Sequence, residues 1–145
     1  MKDEDRFKVE CASLFKHYRK ALCLALEQER ESTFATARKL REHSSGLVRI
    51  WGDGLARRAS EIETLKNWIF FGAENVSELV SLYGDTMLTA AVWGEAEALA
   101  AMNDAHEESE VSRYAARAAD MNEIKVRLTN IRDRYFPVNS CSCSR

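Results

Sequence analysis

An uninterrupted amphipathic segment near the start of the chain constrains the fold more than any other feature. Between residues 5 and 43 there is no glycine or proline, and apolar side chains recur at steps of three and four positions. The repeating positions are Phe7, Cys11, Leu14, Tyr18, Leu22 and Leu26. This spacing places them on one face of an α-helix, which at about 1.5 Å per residue would be about 55–60 Å long. The first stop signal lies at residues 44–46, where two serines precede a glycine.

The rest of the chain has the same helical periodicity and little turn punctuation. One proline and six glycines in 145 residues are too few for the many turns of an all-β fold. A second helix is predicted to end at Gly72, in the left-handed conformation that glycine favours. A third runs from residue 76 to about 103, with Gly84 as a kink or an end, and the last begins between residues 103 and 109 and ends before Pro137. The sequence therefore predicts an all-α fold, an antiparallel helical bundle of four to five helices with a long N-terminal helix and a heptad-like C-terminal helix.

The segment 47–55 is ambiguous, because its apolar residues precede the turn sequence Gly-Asp-Gly. We expect a short helical turn followed by a loop, and the alternative is that the first helix breaks only at Gly52. A capping box begins at Ser60, which predicts Ser60 as the N-cap of the second helix, although that helix could instead begin after Asp53. Two arginines precede Ser60 at the spacing of a basophilic kinase site, so Ser60 is also a candidate phosphorylation site. A phosphate at a helix N-terminus would be electrostatically favourable.

The chain is predicted to form one helical-bundle domain at residues 1–137 and a flexible tail at residues 138–145. The tail contains Cys141 and Cys143, which are candidate modification sites. Three interpretations of this pair stay open: inert cysteines, reversible acylation beside the nearby arginines, and a redox-active or intermolecular disulfide.

The other two cysteines favour an intracellular protein. Cys11 and Cys23 lie on one predicted helix about 18 Å apart, which is too far for a disulfide between them. The N-terminus alternates acidic and basic residues and lacks the apolar core of a signal peptide. No run of about 20 apolar residues is present that could span a bilayer. We therefore expect a cytoplasmic or otherwise intracellular location with reduced cysteines.

Charge is distributed unevenly, although the formal net charge is only -2. Between Lys66 and Arg113 there are nine acidic residues and no basic one, whereas residues 113–145 contain seven basic and three acidic residues. We expect the acidic and basic helices to pack antiparallel and partly neutralise each other. The alternative is an acidic docking face for a basic partner.

No motif indicates catalysis, a metal or a cofactor. The chain lacks a glycine-rich phosphate loop and a His-Glu-x-x-His zinc motif, and its three histidines are far apart in sequence. The paired carboxylates Glu61/Glu63 and Glu95/Glu97 have an i,i+2 spacing, which points them in different directions on a helix. We therefore expect no catalytic residue, no metal ligand and no cofactor, and interpret the chain as a non-enzymatic protein.

Aromatic and small residues supply the candidates for an interface. The sequence Trp-Ile-Phe-Phe at residues 68–71 is hydrophobic over more than one helical face, and aromatic residues are enriched where binding energy concentrates. The interface candidates are Trp68, Phe71, Phe70, Trp51, Trp93 and Gly94. We expect Trp68 and Phe71 to anchor the interface together, while Ile69 continues a buried stripe with Ile62 and Leu65.

These features predict an interaction or structural protein, such as a scaffold or adaptor. It would act as a homo-oligomer or as a subunit of an intracellular multiprotein complex, because the first helix is longer than its predicted intrachain partners. Protein partners are expected and nucleic acid is not, since the acidic middle segment would repel phosphate. The alternative function is a peripheral membrane or lipid-binding module, suggested by the basic last helix and by Lys16, Arg19 and Lys20. Against it, no single helix combines a lysine-rich face with an exposed aromatic face.

Overall fold

The computed structural model describes residues 2–72 and 74–137. In these residues the chain forms four α-helices and no β-strand. The helices are α1 (Asp3–Arg41), α2 (Gly46–Phe70), α3 (Val76–Asp104) and α4 (Glu108–Tyr135). The predicted all-α fold is confirmed, and its helices pack directly on one another. The predicted tail at residues 138–145 lies outside the described residues.

α1 is the central element, because it packs against each of the other three helices. α4 covers its first half, where the rings of Phe7 and Tyr135 lie 5.1 Å apart. α2 covers its second half, where Gly52 lies against Ala37. Because the first helix is longer than the others, part of its apolar stripe was expected to lack an intrachain partner, but α1 packs against all three other helices.

α1 bends at Tyr18, where the backbone leaves the helical region with φ -126° and ψ 18°. The guanidinium carbon of Arg127 on α4 lies 5.1 Å from the centre of the Tyr18 ring, a cation–π distance. The same guanidinium donates a hydrogen bond of 3.4 Å to the hydroxyl of Ser13. The bend therefore coincides with the place where α4 contacts α1.

α2 is continuous through residues 52–54, which corrects the prediction of a loop there. Gly52 is buried because the backbones of α1 and α2 approach closely at this point: a Cβ atom on Gly52 would lie 2.9 Å from the Arg41 nitrogen and 3.0 Å from the Ala37 oxygen. The first helix does not break at Gly52 either, since α1 ends at Arg41. Ser60 lies in the middle of α2, so its prediction as the N-cap is also wrong, and Ser45 occupies the N-cap position.

Two further glycines occupy positions where a side chain would meet backbone strain or a close neighbour. Gly72 has a φ of 77°, which confirms the predicted left-handed residue after α2. Gly94 on α3 is buried against α4, and a Cβ atom there would lie 3.1 Å from the sulfur of Met121. α3 continues without a break through Gly84. Gly94 thus allows α3 and α4 to pack closely over the core.

Candidate functional site

The aromatic interface candidates are exposed, whereas the glycine candidate is buried. The exposed fraction is 79% for Phe71, 65% for Trp51, 60% for Phe70, 59% for Trp93 and 46% for Trp68. Gly94 contacts Met121 inside the chain and offers no surface to a partner, so we remove it from the interface candidates. The aromatic candidates do not form one patch, because they lie at both ends of α2 and on α3.

The first turns of α2 carry a contiguous apolar face that we call the tip face, formed by Leu47, Ile50 and Trp51. These side chains are 80%, 65% and 65% exposed and follow the i, i+3, i+4 spacing that aligns side chains on one side of a helix. Gly52 directs the opposite side of the same helix toward α1. Leu47 and Ile50 were not among the predicted interface candidates, because only a short helical turn was expected here before a loop at residues 52–54. Their spacing was the available signal.

The aromatic residues at the other end of α2 divide into two pairs. Trp68 packs against Tyr83 of α3 with 6.4 Å between ring centroids. Phe71 stacks edge-to-face on Phe70 at 5.1 Å. Ile69 is fully buried, as the predicted inner stripe requires. Trp68 and Phe71 therefore contact different neighbours, and their joint role as interface anchors stays a prediction.

Trp93 lies at the edge of a polar cleft of about 250 Å³ between α1 and α3, which Gln28, Glu29, Ser32 and Glu97 also line. Burial raises the pKa of the Glu29 carboxyl, and the negative charge of Glu97 adds to this effect. The side-chain oxygen of Gln28 is buried without a hydrogen-bond partner. The cleft has acidic character, but it contains no nucleophile paired with a base.

A closed network of charged side chains joins the middle of α1 to α2. Lys66 donates a hydrogen bond of 2.6 Å to Glu27, and Arg30 forms an ion pair of 2.8 Å with Glu63. Within the helices, Arg30 also contacts Glu27 at 2.5 Å and Lys66 contacts Glu63 at 3.2 Å. Hydrogen bonds from Arg30 and then Lys66 lower the pKa of Glu27 to about 2. The network is structural, since each charge is paired with its opposite.

The acidic helix and the basic helix are neighbours, as the charge pattern predicts. α3 and α4 pack as antiparallel partners. In residues 74–137, the ion pair between them joins Lys125 to Glu95 at 2.8 Å. Other bases of α4 have different partners, since Arg134 pairs with Glu10 of α1 and Arg127 with Glu123 of α4 itself. Electrostatic neutralisation between α3 and α4 is therefore only partial.

The modification candidates have different surroundings. Ser60 is exposed in mid-helix, so it remains a candidate phosphorylation site, but without the favourable helix N-terminus that we expected. Cys141 and Cys143 lie outside the described residues. Cys11 and Cys23 are buried free thiols, and burial raises the pKa of both, that of Cys11 to about 12.

None of the helices in the described residues is both long and apolar enough to cross a membrane. The same residues contain no group of three or more histidine, cysteine or acidic side chains that could hold a metal ion. No family model matches the chain, and comparison with curated proteins and with solved structures found no match.

Proposed function

We propose that this chain is a non-enzymatic helical-bundle protein that acts through protein–protein contact, as a homo-oligomer or as a subunit of a larger intracellular complex. The observation that carries the proposal is the tip face, because three large apolar side chains lie together at the surface. Scattered single apolar residues are normal on protein surfaces, whereas contiguous ones mark interaction sites.

The simplest protein–protein contact through the tip face is self-association of two copies of the chain. An apolar helix face of this kind can pair with its copy about a twofold axis, which makes the same three side chains serve both partners. Burying a large apolar side chain contributes about 1.5–3 kcal/mol, and association costs at least about 4 kcal/mol. The tip face alone therefore supports weak association, and a tight complex needs further contacts around it.

The surroundings of the cysteines support the intracellular part of the proposal. Cys11 and Cys23 are buried as free thiols, which suits a reducing compartment. The raised pKa values of both thiols make them poor nucleophiles, which fits a structural role for them. We propose protein partners and no nucleic acid or cofactor.

Sedimentation equilibrium of the full chain over a range of concentrations tests the proposal. We expect the apparent mass to rise with concentration, and we expect the double variant Leu47→Ser, Trp51→Ser to remain monomeric. The matched control is Leu82→Ser, Trp93→Ser, which replaces the same residue types at sites that are 67% and 59% exposed. This control should associate as the unchanged chain does.

A mass that stays monomeric at every concentration would contradict the homo-oligomer. A tip-face variant that associates as strongly as the control would instead contradict the tip face as its interface. If the Leu82 and Trp93 variant loses association and the tip-face variant does not, the interface lies on α3. The double variant Trp68→Ala, Phe71→Ala tests the other end of α2 in the same assay.

A further inference from the structure

A groove with an apolar floor and a basic rim lies between α1 and the start of α3. Its volume is about 600 Å³. The floor is formed by Ala12, Phe15 and Val76, and the rim by Lys16, His17, Arg19 and Lys20. The fold thus combines an apolar surface with three fixed positive charges at one place.

The three basic side chains of the rim are available to an external anion. Lys16, Arg19 and Lys20 lie on successive turns of α1 and are exposed. In the described part of the chain, none of them belongs to an ion pair. Glu78, at the start of α3, instead accepts a hydrogen bond of 3.2 Å from Asn75.

The end of α2 brings exposed aromatic rings to the same corner of the molecule. A Cβ atom on Gly72 would lie 3.8 Å from a terminal nitrogen of Arg19, so the turn after α2 lies against the basic rim. Phe70 and Phe71 directly precede this turn and are 60% and 79% exposed. The tertiary structure therefore brings exposed aromatic residues to within two positions of the glycine that lies against Arg19.

We propose that this corner, formed by Lys16, Arg19, Lys20, Phe70 and Phe71, docks on an anionic phospholipid surface. Aromatic side chains are stable at the boundary between headgroups and acyl chains, and basic side chains are attracted to anionic headgroups. Both requirements are met at one corner, which favours a lipid surface over an acidic protein. This corner is about 30 Å from the tip face along α2, so membrane docking and protein association use separate surfaces.

Flotation of the full chain with vesicles tests the electrostatic half of the proposal. Vesicles of equal parts phosphatidylcholine and phosphatidylserine should carry the protein upward at low salt, and pure phosphatidylcholine vesicles should not. Each basic residue near an anionic surface contributes about fivefold in binding, the equivalent of about 1 kcal/mol. The triple variant Lys16→Gln, Arg19→Gln, Lys20→Gln should therefore bind about a hundredfold more weakly.

A matched triple variant separates local charge from net charge. Arg38→Gln, Lys39→Gln, Arg57→Gln removes the same charge from exposed positions that form no ion pair in the described residues. When both triple variants are compared at 0.1 M salt, it should weaken flotation by no more than a few-fold, because these residues lie away from the proposed contact and their charge is screened over about 10 Å at that salt concentration.

The aromatic half of the proposal has its own pair of variants. Phe70→Ser, Phe71→Ser should lower binding at least tenfold while its circular dichroism spectrum stays helical, because both side chains are exposed. The control Val92→Ser, Leu99→Ser removes two exposed apolar residues of α3 that lie outside both proposed surfaces, and it should float as the unchanged chain does.

Four results would overturn the proposal. They are equal flotation with pure phosphatidylcholine, no flotation with anionic vesicles at low salt, unchanged binding of the rim variant, and equal losses in a variant and its matched control. Capture of an acidic peptide without flotation would also overturn it, and would assign the basic rim to a protein partner.

Discussion

Replacing Gly52 by alanine tests the close contact between α1 and α2. Alanine ordinarily stabilises the interior of a helix by about 1 kcal/mol relative to glycine. At Gly52 a methyl group would lie 2.8 Å from Cγ of Arg41, 2.9 Å from its backbone nitrogen and 3.0 Å from the backbone oxygen of Ala37. Two of these three atoms belong to the backbone, so the methyl group fits only if the helices move apart.

The matched substitution two residues later isolates the steric cost. At Gly54, the nearest atom to an added methyl group is the flexible end of Arg57 at 4.0 Å. Both substitutions gain the same helix propensity, but only Gly52→Ala overpacks an interface, at a cost of about 1–3 kcal/mol. The free energy of unfolding should therefore be about 1–3 kcal/mol lower for Gly52→Ala than for Gly54→Ala, and Gly54→Ala should exceed the unchanged chain.

Urea unfolding followed by circular dichroism measures both free energies. For a chain of this size, each 1 kcal/mol corresponds to roughly 2–4 °C in melting temperature, which gives a second measurement. If Gly52→Ala stabilises the protein as much as Gly54→Ala does, α1 and α2 do not approach closely at this point. A close approach of the two helices would then not be the reason why the Gly-Asp-Gly sequence is helical.

Three other predictions concern side chains of the core and of the α1–α2 network. The pKa of Glu27 is lowered from its usual 4.5 to about 2, so its stabilising effect is complete above pH 4.5 and is lost as the pH falls toward 2. Glu27→Gln should cost about 1 kcal/mol at pH 7 in urea titrations, and this difference should shrink at low pH. Gly94→Ala should change the unfolding free energy by less than about 1 kcal/mol, because the flexible Met121 side chain can move aside. Burial and the high pKa of Cys11 should slow its alkylation about a hundredfold in the folded protein compared with urea, as peptide mass spectrometry can measure.

The sequence predicts α1 well because its signal is local and repeated. The apolar stripe from Cys11 to Leu26 follows the helical period, and the structure buries its residues except Tyr18, which is partly buried. The pairing of α3 with α4 was also predictable, since an acidic helix precedes a basic one across a short turn. The partners of individual charges were not, because Arg134 reaches Glu10 on a helix distant in sequence.

The first part of α2 was mispredicted because glycine can have two structural roles here, and the sequence alone does not distinguish between them. In a turn, glycine supplies backbone freedom, whereas at Gly52 it allows two helices to approach. Only the position of Ala37 and Arg41 across the interface decides between them. Because α2 continues through residues 52–54, Leu47, Ile50 and Trp51 belong to the first turns of a long helix whose opposite side is held against α1, and the tip face follows directly.

The exposed surfaces at the two ends of α2 depend on how α2 is held against α1. Gly52 fixes the contact near the tip face, and the salt-bridge pair Lys66–Glu27 fixes it about 20 Å further along the helix. With the helices held at two separated points, a one-turn slip would break both contacts together. The inner side of α2 is thereby occupied, so its remaining apolar residues face outward at either end. This packing buries the apolar face of α1 inside the bundle, so that face is not available to a partner. Exposed apolar residues remain at the tip face and at the corner that contains Phe70 and Phe71, and these are the surfaces on which association and docking are proposed.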